Sequence, residues 1–71
     1  MGIKLIKMKT YKLQSKDGDR SYVFTVDSKN DKVEIRFVNK YNPNDNYGFT
    51  ETLERSRIRW KEKIAKGFTI I

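Results

Sequence analysis

Residues 21–39 read SYVFTVDSKNDKVEIRFVN and contain two alternating runs separated by a polar turn. The apolar members of these runs are Tyr22, Phe24, Val26, Val33, Ile35 and Phe37. A period of two is typical of a strand that is buried on one face. We therefore predict strands at residues 21–27 and 32–39, joined at residues 28–31, with one apolar face and one charged face.

A third strand is predicted before this pair, at Lys9–Gln14, where Tyr11 and Leu13 point to one side. Residues 16–19 read KDGD, and Asp-Gly between alternating segments predicts a hairpin turn because glycine accepts a positive φ. Residues 1–8 read MGIKLIKM, which is too short and too charged for a signal-peptide core, and we expect them to extend this strand.

The segment from residue 39 to residue 48 contains several asparagines, Pro43 and Asp45, a composition typical of an extended loop. Tyr47 and Phe49 predict a brief fourth strand at its exit. Thr50 is the predicted N-cap of a helix, with Glu51 and Glu54 near the positive end of the helix dipole.

The helix is expected to cover the sheet with a narrow apolar stripe formed by Leu53, Trp60 and Ile64. Gly67 stands where a C-cap glycine belongs, and Phe68 is expected to fold back onto Ile64. Residues 69–71 are β-prone and predict a last short strand. Residues 1–71 are thus expected to form a single α+β domain, an antiparallel three- to four-stranded β-meander packed on one C-terminal α-helix.

The charge of the chain favours anionic partners. Sixteen Lys and Arg residues against nine Asp and Glu residues give a formal net charge of +7. A field of this sign attracts nucleic acid and other polyanions. There is no cysteine, which fits a reducing compartment, and we predict a cytoplasmic protein. No apolar run approaches the roughly 20 residues that span a bilayer, and the apolar stripe is too narrow for a membrane-surface helix.

Catalysis is not expected, because the chain lacks His and Cys and its carboxylates have structural roles in turns and at the helix start. We predict no enzyme activity, no cofactor and no metal. Residues 42–48, NPNDNYG, echo the alternating oxygen ligands of a calcium loop. The glycine comes one position late, and Leu53 stands where a bidentate Glu is needed. The isolated glycines also form no phosphate cradle.

Basic side chains interleaved with aromatic ones are the pattern that small sheets use to bind single-stranded nucleic acid. The sequence predicts phosphate contacts around the sheet and a second basic stripe on the far side of the helix. Tyr41 and Tyr47 are the tyrosines expected to be free to stack on bases. We expect the cations to gather on one continuous face. The candidates are Lys12, Arg20, Lys32, Arg36, Lys40, Tyr41, Tyr47, Arg55, Arg59 and Lys63, and Lys66 extends the helix stripe.

A second interpretation is a protein-interaction or regulatory module that docks on an acidic host protein or forms a homodimer. A phage origin is one form of this interpretation. The apolar helix stripe and residues 68–71 would supply its interface. Most of the aromatic residues are also needed for the core of so short a chain. Both interpretations are binding functions without catalysis.

Two resemblances bear on these interpretations. The tail with Ser56-Arg57, Trp60 and Gly67-Phe68 resembles the ending of short uncharacterised proteins from cyanobacteria and their phages, although Lys63 departs from the aliphatic residue of that pattern. This family implies no activity. Residues 33–36, the polar loop and the helix with its Trp are similar in order to single-stranded DNA-binding transcriptional coactivators. That family implies dimerisation through the helix, but its Gly- and Lys-rich signature is missing here.

Overall fold

The computed structural model describes residues 9–71 and shows a single antiparallel sheet with one α-helix among them. The elements are β1 (Lys9–Gln14), β2 (Arg20–Asp27), β3 (Lys32–Asn39), β4 (Tyr47–Glu51), α1 (Leu53–Ala65) and β5 (Thr69–Ile70). The strand order is β4-β3-β2-β1-β5. The predicted α+β meander with a C-terminal helix is confirmed, with five strands rather than three or four. The extension predicted for residues 1–8 lies outside the described residues.

Two turns set the register of the meander. Gly18 has φ 80° in the β1–β2 turn. This positive φ, which glycine adopts readily, is the conformation expected for the predicted Asp-Gly turn. The Asp17 carboxylate accepts hydrogen bonds from the Ser15 hydroxyl at 2.6 Å and from the Asp19 amide at 3.0 Å. Those bonds lower the pKa of Asp17, the Ser15 contact being the larger cause. The β2–β3 turn contains the short 3-10 segment Ser28–Asn30.

The core lies on the sheet face predicted to be apolar. Directly opposed residues of antiparallel strands share a face, so the register places Tyr11, Phe24, Ile35 and Phe49 in one row. The buried side chains are Leu13, Tyr22, Phe24, Val33 and Ile35, against which Val26, Phe37, Phe49, Leu53, Trp60 and Phe68 pack. The opposite face of the sheet carries no helix among the described residues.

The helix begins two residues later than predicted. Thr52, not Thr50, is the N-cap, and its hydroxyl accepts the Arg55 amide at 3.3 Å. Thr50 and Glu51 instead belong to β4, where they pair with Glu34 and Val33 of β3. The reason is that backbone pairing with β3 continues through Glu51, so the strand outcompetes the earlier cap.

The helix is also rotated relative to the predicted apolar stripe. Ile64 is 41% exposed, whereas Ser56 is buried and Lys63 is half-buried. The positions facing the sheet are Leu53, Ser56, Trp60 and Lys63, which follow the helical spacing of three and four residues. The prediction that Lys63 lies on the far side of the helix is therefore wrong. A lysine can face a sheet in this way because its aliphatic stem packs while its ammonium reaches the edge.

The C-terminal end of the helix closes at Gly67 as predicted. Gly67 has φ 103°, and the amides of Gly67 and Phe68 bond to the carbonyls of Ile64 and Lys63, both at 3.0 Å, as in a Schellman turn. The Phe68 ring lies 5.3 Å from that of Tyr22 and packs against the core.

Candidate nucleic-acid interface

A row of stacked rings runs along the β4 edge of the sheet, on the face that carries the helix. The Tyr47 ring centroid lies 5.2 Å from that of Phe37 and 6.0 Å from that of Phe49, with interplanar angles of 28° and 18°. Pairing of Phe37 with Tyr47 across β3 and β4 produces the first contact. Tyr47 is 50% exposed, and β4 has no further strand beside it among residues 9–71.

Cations of the helix border these rings. The Lys63 ammonium lies 4.7 Å from the Tyr22 ring centroid, and the Arg59 guanidinium lies 4.8 Å from that of Phe49. We call the region bounded by Tyr22, Phe37, Tyr47, Arg59 and Lys63 the helix–β4 cleft. It combines the half-exposed ring of Tyr47 with positive charge, the two components needed to hold an unpaired base and its phosphate.

Arg59 has a structural role within the helix–β4 cleft. Its Nε and Nη2 atoms each donate a 2.9 Å hydrogen bond to the Glu51 carboxylate, whose side chain is only 8% exposed. These bonds raise the pKa of Arg59, the hydrogen bond to Glu51 being the largest cause. Because this bidentate pair already neutralises Arg59, the residue fixes α1 to β4 and is a poor phosphate ligand. The prediction of Arg59 on the far side of the helix is wrong.

Two further candidates lie next to the helix–β4 cleft. Arg20 precedes Tyr22 by two residues on β2, so its side chain is on the same face, and its guanidinium lies 5.8 Å from the Phe68 ring centroid. Arg55 is exposed on α1 and lines a shallow surface depression together with Arg59. Neither Arg20 nor Arg55 forms an ion pair within the described residues.

The loop between β3 and β4 carries Lys40 and the 74% exposed Tyr41. The Lys40 ammonium lies 6.0 Å from the Tyr41 ring centroid, and the Lys40 amide bonds to the Asp19 carbonyl at 2.8 Å. Lys40 is therefore anchored at the same end of the sheet as Arg20, which pairs with Asn39. A solvent-exposed tyrosine with an adjacent cation is a second position where a base could stack.

Asparagine side chains hold this loop in shape. The Asn39 amide donates to the Asn46 side-chain oxygen at 2.7 Å, and the Tyr41 amide donates to the Asn39 side-chain oxygen at 3.1 Å. The Asp45 carboxylate accepts the Asn42 side-chain amide at 3.1 Å. Two of the side chains that echoed a calcium loop, Asp45 and Asn46, thus have an oxygen engaged in a hydrogen bond within the loop. Among the described residues, no three acidic side chains are grouped closely enough to share a metal ion.

The remaining candidates lie on the other face of the sheet. Lys12, Lys32 and Arg36 alternate with core residues, and register places Lys12 and Arg36 on either side of Val23 in one cross-strand row. Arg36 also lies 3.7 Å from Glu34. We call this surface the open sheet face. No aromatic side chain projects from it among the described residues, since its strand positions carry Thr, Ser, Val, Gln and charged groups.

The candidates therefore occupy two surfaces rather than the single continuous face expected from the sequence. Arg20, Lys40, Arg55, Lys63 and the two tyrosines lie around the helix–β4 cleft and the adjacent loop, while Lys12, Lys32 and Arg36 lie on the open sheet face. Sequence reasoning missed the supporting roles of Phe37 and Glu51 in the cleft. Apolar residues alternate with polar ones in both β3 and residues 47–51. Pairing these two patterns as antiparallel strands could have placed Phe37 beside Tyr47.

Comparisons with known proteins supply no relatives. No family model matches the chain, and neither the search of curated proteins nor the search of solved structures found a match. The resemblances noted from the sequence thus stay predictions. Within residues 9–71, no helix is long and apolar enough to cross a membrane.

The ionisation of Tyr47 should report its position in the cleft. Partial removal from water, followed by the interaction of its hydroxyl with Tyr22, raises the pKa of the half-exposed Tyr47 above 10.0, while Lys63 and Arg59 act in the opposite direction. Any stability from this shift is fully present below the pKa of the unfolded chain and is lost as the pH rises through the folded pKa. We expect NMR titration of the tyrosine ring carbons to give Tyr47 a pKa above 10.0, and Lys63→Gln to raise it further. A Tyr47 pKa at or below the ordinary value would contradict the desolvated position.

Proposed function

We propose that the protein binds single-stranded nucleic acid without catalysis, through the helix–β4 cleft and the adjacent β3–β4 loop. The observation that supports the proposal is the half-exposed Tyr47 ring, which stacks with both Phe37 and Phe49, while Lys63 lies over the neighbouring Tyr22 ring. The exposed part of the Tyr47 ring is the position for a base. Arg20, Lys40, Arg55 and Lys63 are the proposed phosphate contacts, and Tyr41 is a second stacking residue.

Charge supports the same proposal. The chain has a formal net charge of +7, and two ion pairs, those of Arg36 and Arg59, occur within the described residues. The other cations are left to attract phosphates, and each phosphate contact releases counterions from the nucleic acid. A cytoplasmic location, proposed from the absence of cysteine, would give the protein access to such ligands.

The test compares two triple variants of equal charge. Arg20→Gln with Lys40→Gln and Lys63→Gln removes three cations at the cleft, and Lys12→Gln with Lys32→Gln and Arg36→Gln removes three from the open sheet face. Fluorescence anisotropy of a labelled oligothymidylate is measured over a salt series. For the cleft triple we expect the slope of log K against log salt to fall by about 2, since each phosphate contact on a single strand contributes roughly 0.7. The open-face triple should change the slope little.

Stacking is tested by Tyr47→Leu, which keeps an apolar side chain over Phe37. We expect a loss of about 1–3 kcal/mol in oligothymidylate binding, the usual contribution of one base on an aromatic ring. Equal losses from the two triples would mean that net charge alone attracts the strand, and would overturn the assignment to the cleft. Absence of binding at low salt would end the proposal of nucleic-acid binding altogether.

The competing proposal is a protein-interaction module, and one observation favours it. Ile58 and Ile64 of α1 are 59% and 41% exposed, and Ile70 and Ile71 are exposed at the β5 end. Such apolar groups on a small protein are suited to a homodimer or an acidic protein partner. Capture from a lysate treated with nuclease distinguishes the two proposals, because protein partners persist while partners bridged by nucleic acid are lost.

A further inference from the structure

A second concave site lies between β1 and the first half of α1. Its volume is about 260 Å³. Tyr11 and Val26 of the sheet form one wall, and Leu53 and Trp60 of the helix form the other. None of these four residues borders the helix–β4 cleft. We call this site the β1–helix groove.

The walls of the β1–helix groove are apolar and partly open. Tyr11 is 43% exposed, and its ring meets that of Trp60 edge to face at 6.0 Å. Trp60 is held from behind by Phe24 at 5.1 Å in a second edge-to-face contact. The volume is below the roughly 300–1,000 Å³ of sites that enclose whole small-molecule ligands. The groove is therefore suited to one bulky apolar side chain presented by a longer chain.

The rim of the groove is positive. Arg57 and Lys61 are one helical turn apart, line the groove and are exposed to solvent. No carboxylate lines the groove, and neither cation forms an ion pair within residues 9–71, although Glu54 lies one turn before Arg57. Charge complementarity thus favours an occupant with negative charge beside its apolar group.

The chain's own first residues do not have this chemistry. Residues 1–8 contain Lys4 and Lys7 and no Asp or Glu. A second copy of the chain is also a poor match in charge, since each copy carries +7. An acidic peptide segment with one aromatic side chain is complementary to both the apolar walls and the positively charged rim.

We infer that the β1–helix groove is a docking site for an acidic protein segment, with one aromatic side chain seated against Tyr11, Leu53 and Trp60 and flanking carboxylates paired with Arg57 and Lys61. The site is independent of the nucleic-acid proposal, because it shares no wall residue with the helix–β4 cleft. Ligand binding at one site can therefore be lost while binding at the other is kept.

The experiment uses the fluorescence of Trp60, which is the chain's single tryptophan and forms a wall of the groove. The full chain is titrated with a synthetic peptide that has one Phe among Asp and Glu residues. We expect a saturable change in Trp60 emission. The double variant Arg57→Glu with Lys61→Glu should weaken peptide binding by about tenfold or more, as loss of two charge-assisted contacts predicts.

A matched control separates the groove from net charge. Lys16→Glu with Lys66→Glu makes the same change in net charge at the other end of the sheet, and we expect it to weaken binding by less than about threefold because those charges are screened over that distance. Replacing the peptide Phe with Ala should abolish the Trp60 change. Equal weakening by both double variants, or full binding of the Ala peptide, would overturn the inference. Tighter binding of a peptide of residues 1–8, or a Trp60 change with protein concentration alone, would assign the groove to the chain itself.

Discussion

Replacing Ile35 with alanine is expected to leave the protein largely unfolded at room temperature. Ile35 has no solvent exposure and sits at the centre of the sheet, between Phe24 on β2 and Phe49 on β4. Truncating a fully buried isoleucine costs about 2–5 kcal/mol, through lost transfer energy and the remaining cavity. A single core of this size rarely supplies more than about 3–5 kcal/mol in total.

The measurement is urea denaturation followed by circular dichroism, with two controls. Ile35→Val removes one methylene and should cost about 0.5–1.5 kcal/mol, leaving a folded protein with a lower midpoint. Val38→Ala, on the open sheet face of the same strand, should cost less than about 0.5 kcal/mol because that side chain is 39% exposed. A folded Ile35→Ala protein with an unchanged midpoint would contradict the position of Ile35 in the core.

Replacing Trp60 with alanine is expected to have the second largest effect, a loss of about 3 kcal/mol in the free energy of unfolding, as for other large aromatic truncations. Trp60 joins α1 to the sheet through edge-to-face contacts with Phe24 and Tyr11. Its removal takes away the ring contact between the helix and β1. The helix should then detach while the sheet retains part of its structure.

Ile64→Ala provides the control for Trp60→Ala. Both residues were predicted to face the sheet, but Ile64 is 41% exposed, so its truncation should cost less than about 1 kcal/mol. Hydrogen exchange of the α1 amides and urea midpoints measure both effects. Similar losses in the two variants would show that the helix packs with the face predicted from its sequence, and would contradict the orientation described above.

The strands were predictable from sequence because the alternation of apolar and polar side chains is a local pattern, visible within each segment. The bounds of β1 and β3, the Asp-Gly turn and the apolar face follow from the period of two, which is fixed by strand geometry. The start of α1 was not predictable to the residue, because Thr50 and Thr52 are both good caps and the choice depends on the pairing of β4 with β3. That pairing is a tertiary interaction.

The candidate site was predictable in composition and not in arrangement. The sequence indicates which residues are basic or aromatic, but the division between the helix–β4 cleft and the open sheet face depends on strand register and helix rotation. Lys63 shows why. The predicted apolar stripe places Lys63 on the solvent side of the helix, yet the residue is half-buried and its ammonium lies over the Tyr22 ring. Arg59 was predicted to contact phosphate, but its guanidinium pairs with Glu51, which lies in β4 and not at the start of the helix.

The strand order has a consequence for the sequence of folding events. From β1 to β4 every pairing joins strands that are adjacent in the chain, so these hairpins can form by local closure. β5 differs because it pairs with β1, which is distant in sequence. Its residue Thr69 pairs with Gln14, 55 positions earlier in the chain. Among residues 9–71, only Leu13 and Gln14 pair with β5, and the Ile71 amide adds one bond to the Lys12 carbonyl. Because β5 has two residues, we expect it to open at a lower free energy than the longer strands, and its release would expose a backbone edge able to accept a strand from another chain.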